Sequence, residues 1–151
     1  MSLVTVGDLI DRASDFEICI EKYYADLRDR AVNDGVRLVT YSLARRKRRL
    51  VETLDNYSSK QIELIRRIPV KFEVVDLRNE SYFSDRILPD DTNADTLLRN
   101  AVEFVELLIS FYREIAQKSP GEEIGVLFSS LLKIEEKDVI ELKKIRAMNY
   151  F

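Results

Sequence analysis

The hydrophobic residues of this chain recur every three to four positions over four long stretches. That spacing places apolar side chains on one face of an α-helix. It predicts four helices, at residues 6–31, 36–68, 96–118 and 122–147. The turn signals Asn33-Asp34-Gly35 and Ser119-Pro120-Gly121 separate the helices within each pair.

Residues 69–95 lack a helical period and form a predicted crossover between the two helix pairs. Pro69 ends the second helix because proline has no backbone N–H to donate. We expect a short strand at 71–75, and either Asp95 or Thr96 as the cap of the third helix. Two helical hairpins joined by a long connection predict one all-α domain over residues 1–151, arranged as a four-helix bundle.

The two halves of the chain are weak copies of each other. Matching positions have the same spacing in each half. In the odd helices the pairs are Ala13 with Ala101, Glu17 with Val105, Tyr23-Tyr24 with Phe111-Tyr112, and Leu27 with Ile115. In the even helices they are Leu43 with Leu131, Lys47 with Glu135, and Leu50 with Asp138. The aromatic pairs are expected to pack in the core.

Composition removes several kinds of chemistry. The chain has no histidine, which excludes a histidine-containing catalytic triad and histidine metal ligands. Its single cysteine excludes an intrachain disulfide and a cysteine-cluster metal site. The lone thiol and the lack of a signal peptide or a membrane-length apolar stretch favour a cytoplasmic protein without membrane association.

Charge gives little reason to expect nucleic-acid binding. The formal net charge is −3, and the densest basic run is Arg45–Arg49. Five consecutive helical residues spread around the whole helix, so we interpret the run as a solvated surface rather than a contact for nucleic acid or an acidic partner.

The spacing of these residues resembles the ferritin-like superfamily, in its rubrerythrin-like branch. In that family an odd helix carries Glu seven residues before the second aromatic of a pair, as Glu17 stands before Tyr24. An even helix carries Leu-Ala-x-x-Glu-x-x-His, and the matching stretches here are 43–50 and 131–138. The resemblance implies a ferritin-like four-helix bundle and a di-iron centre.

Most of the implied metal ligands are replaced. The six positions are occupied by Glu17, Lys47, Leu50, Val105, Glu135 and Asp138. Three carboxylates without imidazole make a poor iron site, and a lysine ammonium would repel the metal. We therefore predict that the Lys47 ammonium fills the former metal cavity and pairs with Glu17 and Glu135 in a buried salt bridge.

The resulting expectation is a rubrerythrin-like protein that has lost its di-iron centre, without catalytic residues or cofactor, in a structural or interaction role. The alternative is a divergent oxidoreductase that binds iron or another divalent metal through Glu17, Glu135 and Asp138. Predicted outward apolar residues favour a homodimer. They are Leu107, Ile109, Val139 and Ile140.

Overall fold

The computed structural model describes residues 4–44, 49–119 and 121–148. Within these ranges the chain is mostly helical and contains no strand, which confirms the all-α class. The helices described there are α1 (Val6–Arg30), α2 (Asp34–Ala44), α3 (Arg49–Leu54), α4 (Ser59–Arg66), α5 (Ser81–Ser84), α6 (Ala94–Lys118) and α7 (Glu122–Met148). No helix among the described residues is long and apolar enough to cross a membrane.

The first helix follows its predicted pattern closely. Thr5 and Asp8 form a capping box at its start, in which each side chain accepts a hydrogen bond from the other residue's backbone N–H. The helix ends at Arg30, one residue before the predicted end. Ala13, Phe16 and Leu27 are buried as the apolar period predicts. Glu17 is buried beside them, so a carboxyl group lies on the inward face.

The prediction of one helix over residues 36–68 is wrong. Helix α3 ends at Leu54, and α4 starts after a turn. The cause is local, because the Ser58 side chain accepts from the Gln61 N–H and the Gln61 side chain accepts from the Ser58 N–H. This capping box starts a new helix instead of continuing the old one. The inward face changes as a result: Ile65 is buried, whereas Leu64, which a continuous apolar period over 36–68 would place inward, is 56% exposed.

Helix α4 packs closely against the start of α1. A Cβ atom at Gly7 would lie 3.0 Å from the Arg66 Cβ, so the contact depends on the missing side chain. The Arg66 guanidinium also donates to the Asp11 carboxylate at 2.9 and 3.0 Å. The two helices are therefore held by a close backbone approach and a bidentate ion pair.

The crossover contains one helical turn, α5, and no strand at 71–75. That prediction is wrong because residues 71–75 form no β-ladder; the isolated bridge among the described residues joins Thr5 and Pro69, before the predicted strand. The cap of α6 is also corrected. The Asn93 side chain accepts from the Thr96 N–H at 2.9 Å, and Asp95 lies in the first turn, where it pairs with Arg146.

The core joins α1, α6 and α7, with the crossover covering one side. Helices α6 and α7 make the most extensive pairing of the described elements. Phe104 of α6 packs against Tyr23 of α1 and Phe83 of α5, with ring centroids 5.1 and 5.0 Å apart. The Tyr23 hydroxyl donates to the Arg86 carbonyl at 2.6 Å, and Asn100 donates to that hydroxyl at 2.9 Å. These bonds attach the crossover to α1 and α6.

The predicted outward apolar face is largely absent. Ile109 and Val139 are buried within the chain, Leu107 is half-buried, and Ile140 is exposed. The length of the α6–α7 pairing explains the difference, since it covers a wider face of each helix than one seam. The homodimer remains a prediction that this face no longer supports.

Candidate functional site

A small cavity lies between the main helices, where buried acidic side chains meet an apolar wall. Its volume is about 50 Å³. Glu17 and Glu21 reach it from α1, and Glu135 and Asp138 reach it from α7. The rest of the lining is largely apolar: Ile20, Tyr24, Leu43, Ala44, Phe104, Val105, Leu108 and Leu142. Four helices therefore contribute to one site.

Glu17 carries its carboxyl group into this cavity from the inward face of α1. Burial raises its pKa from the ordinary value of 4.5 to about 7. A hydrogen bond from the Leu50 backbone and the positive charge of Arg49 act in the opposite direction, and Glu21 adds to the rise. Near neutral pH this side chain is therefore divided between its neutral and charged forms.

Glu135 is the more strongly perturbed of the two glutamates. It is 4% exposed, and burial raises its pKa from 4.5 to about 8. Arg49 lowers the pKa, whereas Asp138 and Glu17 raise it further. Among the described residues no hydrogen bond or ion pair reaches the Glu135 carboxyl group. Glu135 is therefore mostly protonated at neutral pH, because a charged carboxylate in this environment is poorly solvated.

Arg49 supplies a positive charge to the site from the start of α3. Its Nη2 atom donates to Asp138 Oδ1 at 3.2 Å, and the two side chains are 20% and 4% exposed. The pair is a buried salt bridge between residues far apart in sequence. A charge-assisted hydrogen bond of this kind is stronger than one between neutral groups, and breaking a buried pair is costly.

Tyr112 adds a buried hydroxyl group near the acids. It is completely buried, and its oxygen has no hydrogen-bond partner among the described residues. Burial raises its pKa well above the ordinary value, and the charges of Glu17 and Glu135 add to the effect. The hydroxyl is therefore neutral and unsatisfied.

Removing the Tyr112 hydroxyl should stabilise the protein. We expect Tyr112→Phe to raise the free energy of unfolding by about 1 kcal/mol, because a buried hydroxyl without a partner pays desolvation with no bond in return. Thermal or urea unfolding measures the change. Tyr23→Phe is the matched control, since that hydroxyl donates to the Arg86 carbonyl and accepts from Asn100, so its loss should be destabilising. A lower stability for Tyr112→Phe would contradict the prediction.

The structure brings together four of the six positions predicted from sequence. Glu17, Val105, Glu135 and Asp138 all line the cavity. Leu50 is buried and contacts the site through its backbone hydrogen bond to Glu17. Lys47 lies outside the described residues, as do positions 45, 46 and 48 of the basic run.

Arg49 is the functional residue that sequence reasoning missed. It was interpreted as part of a solvated basic surface, but its side chain is mostly buried and bonded to Asp138. One signal was available in the sequence. Arg49 directly precedes Leu50, an inward position of the repeat, so it stands next to the predicted site.

The donor set does not suit a metal centre. Within the described ranges no group of three or more His, Cys, Asp or Glu side chains is arranged to hold a metal ion. Asp138 is bonded to a guanidinium, and the two glutamates have raised pKa values that oppose metal coordination. The arrangement can instead exchange protons near neutral pH and attract a positive group.

Comparison of the chain with protein-family models, curated proteins and solved structures finds no match. The interpretation of the cavity therefore depends on the geometry and chemistry of the residues described above.

Proposed function

We propose that this chain is a ferritin-like bundle that has lost its di-iron centre and serves as a non-catalytic structural or interaction protein. One observation carries the proposal. Four positions that the ferritin-like resemblance assigns to metal ligands, Glu17, Val105, Glu135 and Asp138, line a single buried cavity. Residues from distant parts of the chain would not be expected to converge in this way if the repeat were accidental.

An internal side chain now performs the charge balance of the lost metal. In a di-iron site the cations neutralise several buried carboxylates. Here the Arg49 guanidinium neutralises Asp138, and protons neutralise much of Glu17 and Glu135 near pH 7. The Arg49 guanidinium and the bound protons thus neutralise the buried carboxyl groups without a redox-active metal, and this supports a structural role.

The alternative of a divergent oxidoreductase has weaker support. It requires Glu17, Glu135 and Asp138 to act together as ligands. Asp138 is already bonded to Arg49, and Val105 offers no ligand atom at the fourth position. A metal would have to displace a guanidinium and two protons to bind.

Metal analysis tests the proposal directly. We expect less than about 0.1 equivalent of iron, manganese or zinc in protein purified without chelator, and no thermal stabilisation when these ions are added, because the donor set is incomplete. Elemental analysis and thermal unfolding with each ion give the two measurements. Stoichiometric iron or manganese, with a spectral change on adding peroxide, would overturn the proposal in favour of the oxidoreductase.

A variant provides the matched control for that experiment. Arg49→Leu with Val105→Glu removes the internal cation and restores one carboxylate at the third-helix position. If the cavity derives from a metal site, this double variant should bind Fe²⁺ or Mn²⁺ more strongly than the natural chain. Equal binding by the two proteins would count against that origin.

A further inference from the structure

Two buried polar groups have no hydrogen-bond partner among the described residues; Glu135 lines the cavity, and Tyr112 lies within electrostatic range of its acids. Glu135 is only 4% exposed and lines the cavity. Its carboxyl group has no hydrogen bond or ion pair with another described residue. The Tyr112 hydroxyl is fully buried and also unsatisfied. Buried polar atoms are nearly always bonded in native proteins, so a ligand that forms hydrogen bonds in this region would be stabilised by these groups.

The charges around the cavity indicate the sign of that occupant. Glu17 and Glu135 line the same cavity, and the charges of Glu17 and Asp138 oppose ionisation of Glu135. A positive group between the two carboxyls would relieve that repulsion and donate hydrogen bonds to both. Arg49 does not satisfy Glu135, because its recorded hydrogen bond goes to Asp138.

The cavity wall indicates the chemical class. A divalent cation requires about six oxygen ligands, which this site does not provide. Most of the lining is hydrocarbon, from side chains such as Ile20, Leu43 and Leu108. A short alkyl chain matches that wall, and the aromatic rings of Tyr24 and Phe104 favour a neighbouring cation. The volume of about 50 Å³ limits the ligand to a few heavy atoms.

We propose that the cavity binds a short primary alkylammonium ion. Its ammonium group donates to the carboxylates of Glu17 and Glu135, and its alkyl group packs against Ile20, Leu43 and Leu108. This site goes beyond the proposed structural role and does not depend on a ferritin-like origin, so metal analysis and amine binding test the two proposals separately.

Binding of the ammonium ion must respond to pH because it competes with protons on the same carboxyls. In the part of the chain that the structure describes, the charged or titratable groups that act on Glu135 or are acted on by it are Glu17 on α1, Arg49 on α3, Tyr112 on α6 and Asp138 on α7. Glu21, beside Glu17, is the further acid in the lining. The pKa values of Glu17 and Glu135 are about 7 and 8, so these two carboxyls gain charge as the pH rises from about 5.5 to about 8.5.

Isothermal titration with n-propylammonium chloride is the test, and n-propanol is the neutral ligand of equal length. We expect saturable binding of the ammonium ion at about pH 8.5, affinity at least about ten-fold weaker at about pH 5.5, and no saturable binding of propanol. Equal binding of both ligands, or no binding of the ammonium ion at either pH, would overturn the proposal.

Two variants assign the binding to the cavity. Glu135→Gln keeps the shape of the side chain but removes its charge, so we expect affinity at pH 8.5 to fall by at least about ten-fold. Glu106→Gln makes the same change at an exposed position of α6 and should leave binding unaltered. Unchanged affinity in Glu135→Gln, with its fold verified by circular dichroism, would place the ligand elsewhere and reject the site.

Discussion

Replacing Arg49 by methionine is expected to lower the free energy of unfolding by about 3 kcal/mol. The substitution removes the guanidinium that donates to Asp138 at 3.2 Å and leaves a buried carboxylate without that bond. It also removes the positive charge that favours ionisation of Glu17 and Glu135. For a domain of this size the change corresponds to a fall in melting temperature of about 6–12 °C.

The matched control is an arginine whose ion pair is exposed. Arg67 pairs with Glu63 on α4, where the two side chains are 71% and 62% exposed. Arg67→Met should change stability by less than about 0.5 kcal/mol, because water solvates both charges when the pair is broken. Differential scanning calorimetry of the two variants under the same conditions provides the comparison. Equal losses in both would mean that the burial of Arg49 has no energetic consequence.

A second substitution separates the ion pair from packing. Arg49→Met combined with Asp138→Leu removes both charges, and buried pairs replaced by apolar side chains are often neutral in stability. We expect the double variant to recover much of the loss of Arg49→Met. A double variant less stable than either single variant would show that the contribution comes from other contacts of these side chains.

The second large effect concerns pH. Glu135→Gln is expected to raise the free energy of unfolding by up to about 4 kcal/mol at pH 9, with little change at pH 4.5. The folded protein keeps a proton on Glu135 up to about pH 8, whereas the unfolded chain releases it near 4.5. The contribution of protonated Glu135 to the free energy of unfolding is therefore fully present below about pH 4.5 and is lost as the pH rises toward 8. Glutamine resembles the neutral acid and has no proton to release in this range, so the variant keeps this stability at high pH.

Urea unfolding of the natural chain and the variant between pH 4.5 and 9 measures the difference. Glu106→Gln is the control, since the exposed carboxyl has no comparable burial and its curve should follow that of the natural chain. Glu17→Gln should show a smaller gain, because the Leu50 backbone bond stabilises the charged form of Glu17. Parallel curves for the natural chain and Glu135→Gln would contradict the raised pKa.

These two effects describe one balance of charge. Arg49 forms a buried ion pair with Asp138, while burial keeps Glu135 neutral in most molecules at pH 7. Glutamine at position 135 preserves that balance at every pH, whereas methionine at position 49 disrupts it. The opposite signs expected for the two substitutions are therefore a stricter test than either result alone.

The helical content and the inward positions were predictable from the sequence. The spacing of apolar residues predicts which face of a helix is buried, whatever element covers that face. Phe16, Leu108 and Leu142 are buried as this spacing predicts. The positions of Glu17, Glu135 and Asp138, which the ferritin-like resemblance implies, line one cavity in the structure.

Short-range capping signals predict helix ends less well than the apolar period predicts helix faces. The Ser58–Gln61 capping box is present in the sequence, yet the apolar period across it continued and concealed the break. Asn93 was passed over as the cap of α6 in favour of two neighbouring residues. Capping depends on one side-chain conformation, and several adjacent polar residues can offer it.

The sequence by itself determined an all-α chain, the main helical faces and the acidic positions that face inward, since each depends on local period and spacing. Only the tertiary structure decided that Arg49 bonds Asp138, that Glu135 is left with its pKa near 8, and that the apolar residues Ile109 and Val139 are covered. Ion pairing requires a distance between residues remote in sequence, and a pKa depends on the water excluded by every element around the group. Neither quantity exists until the helices have packed.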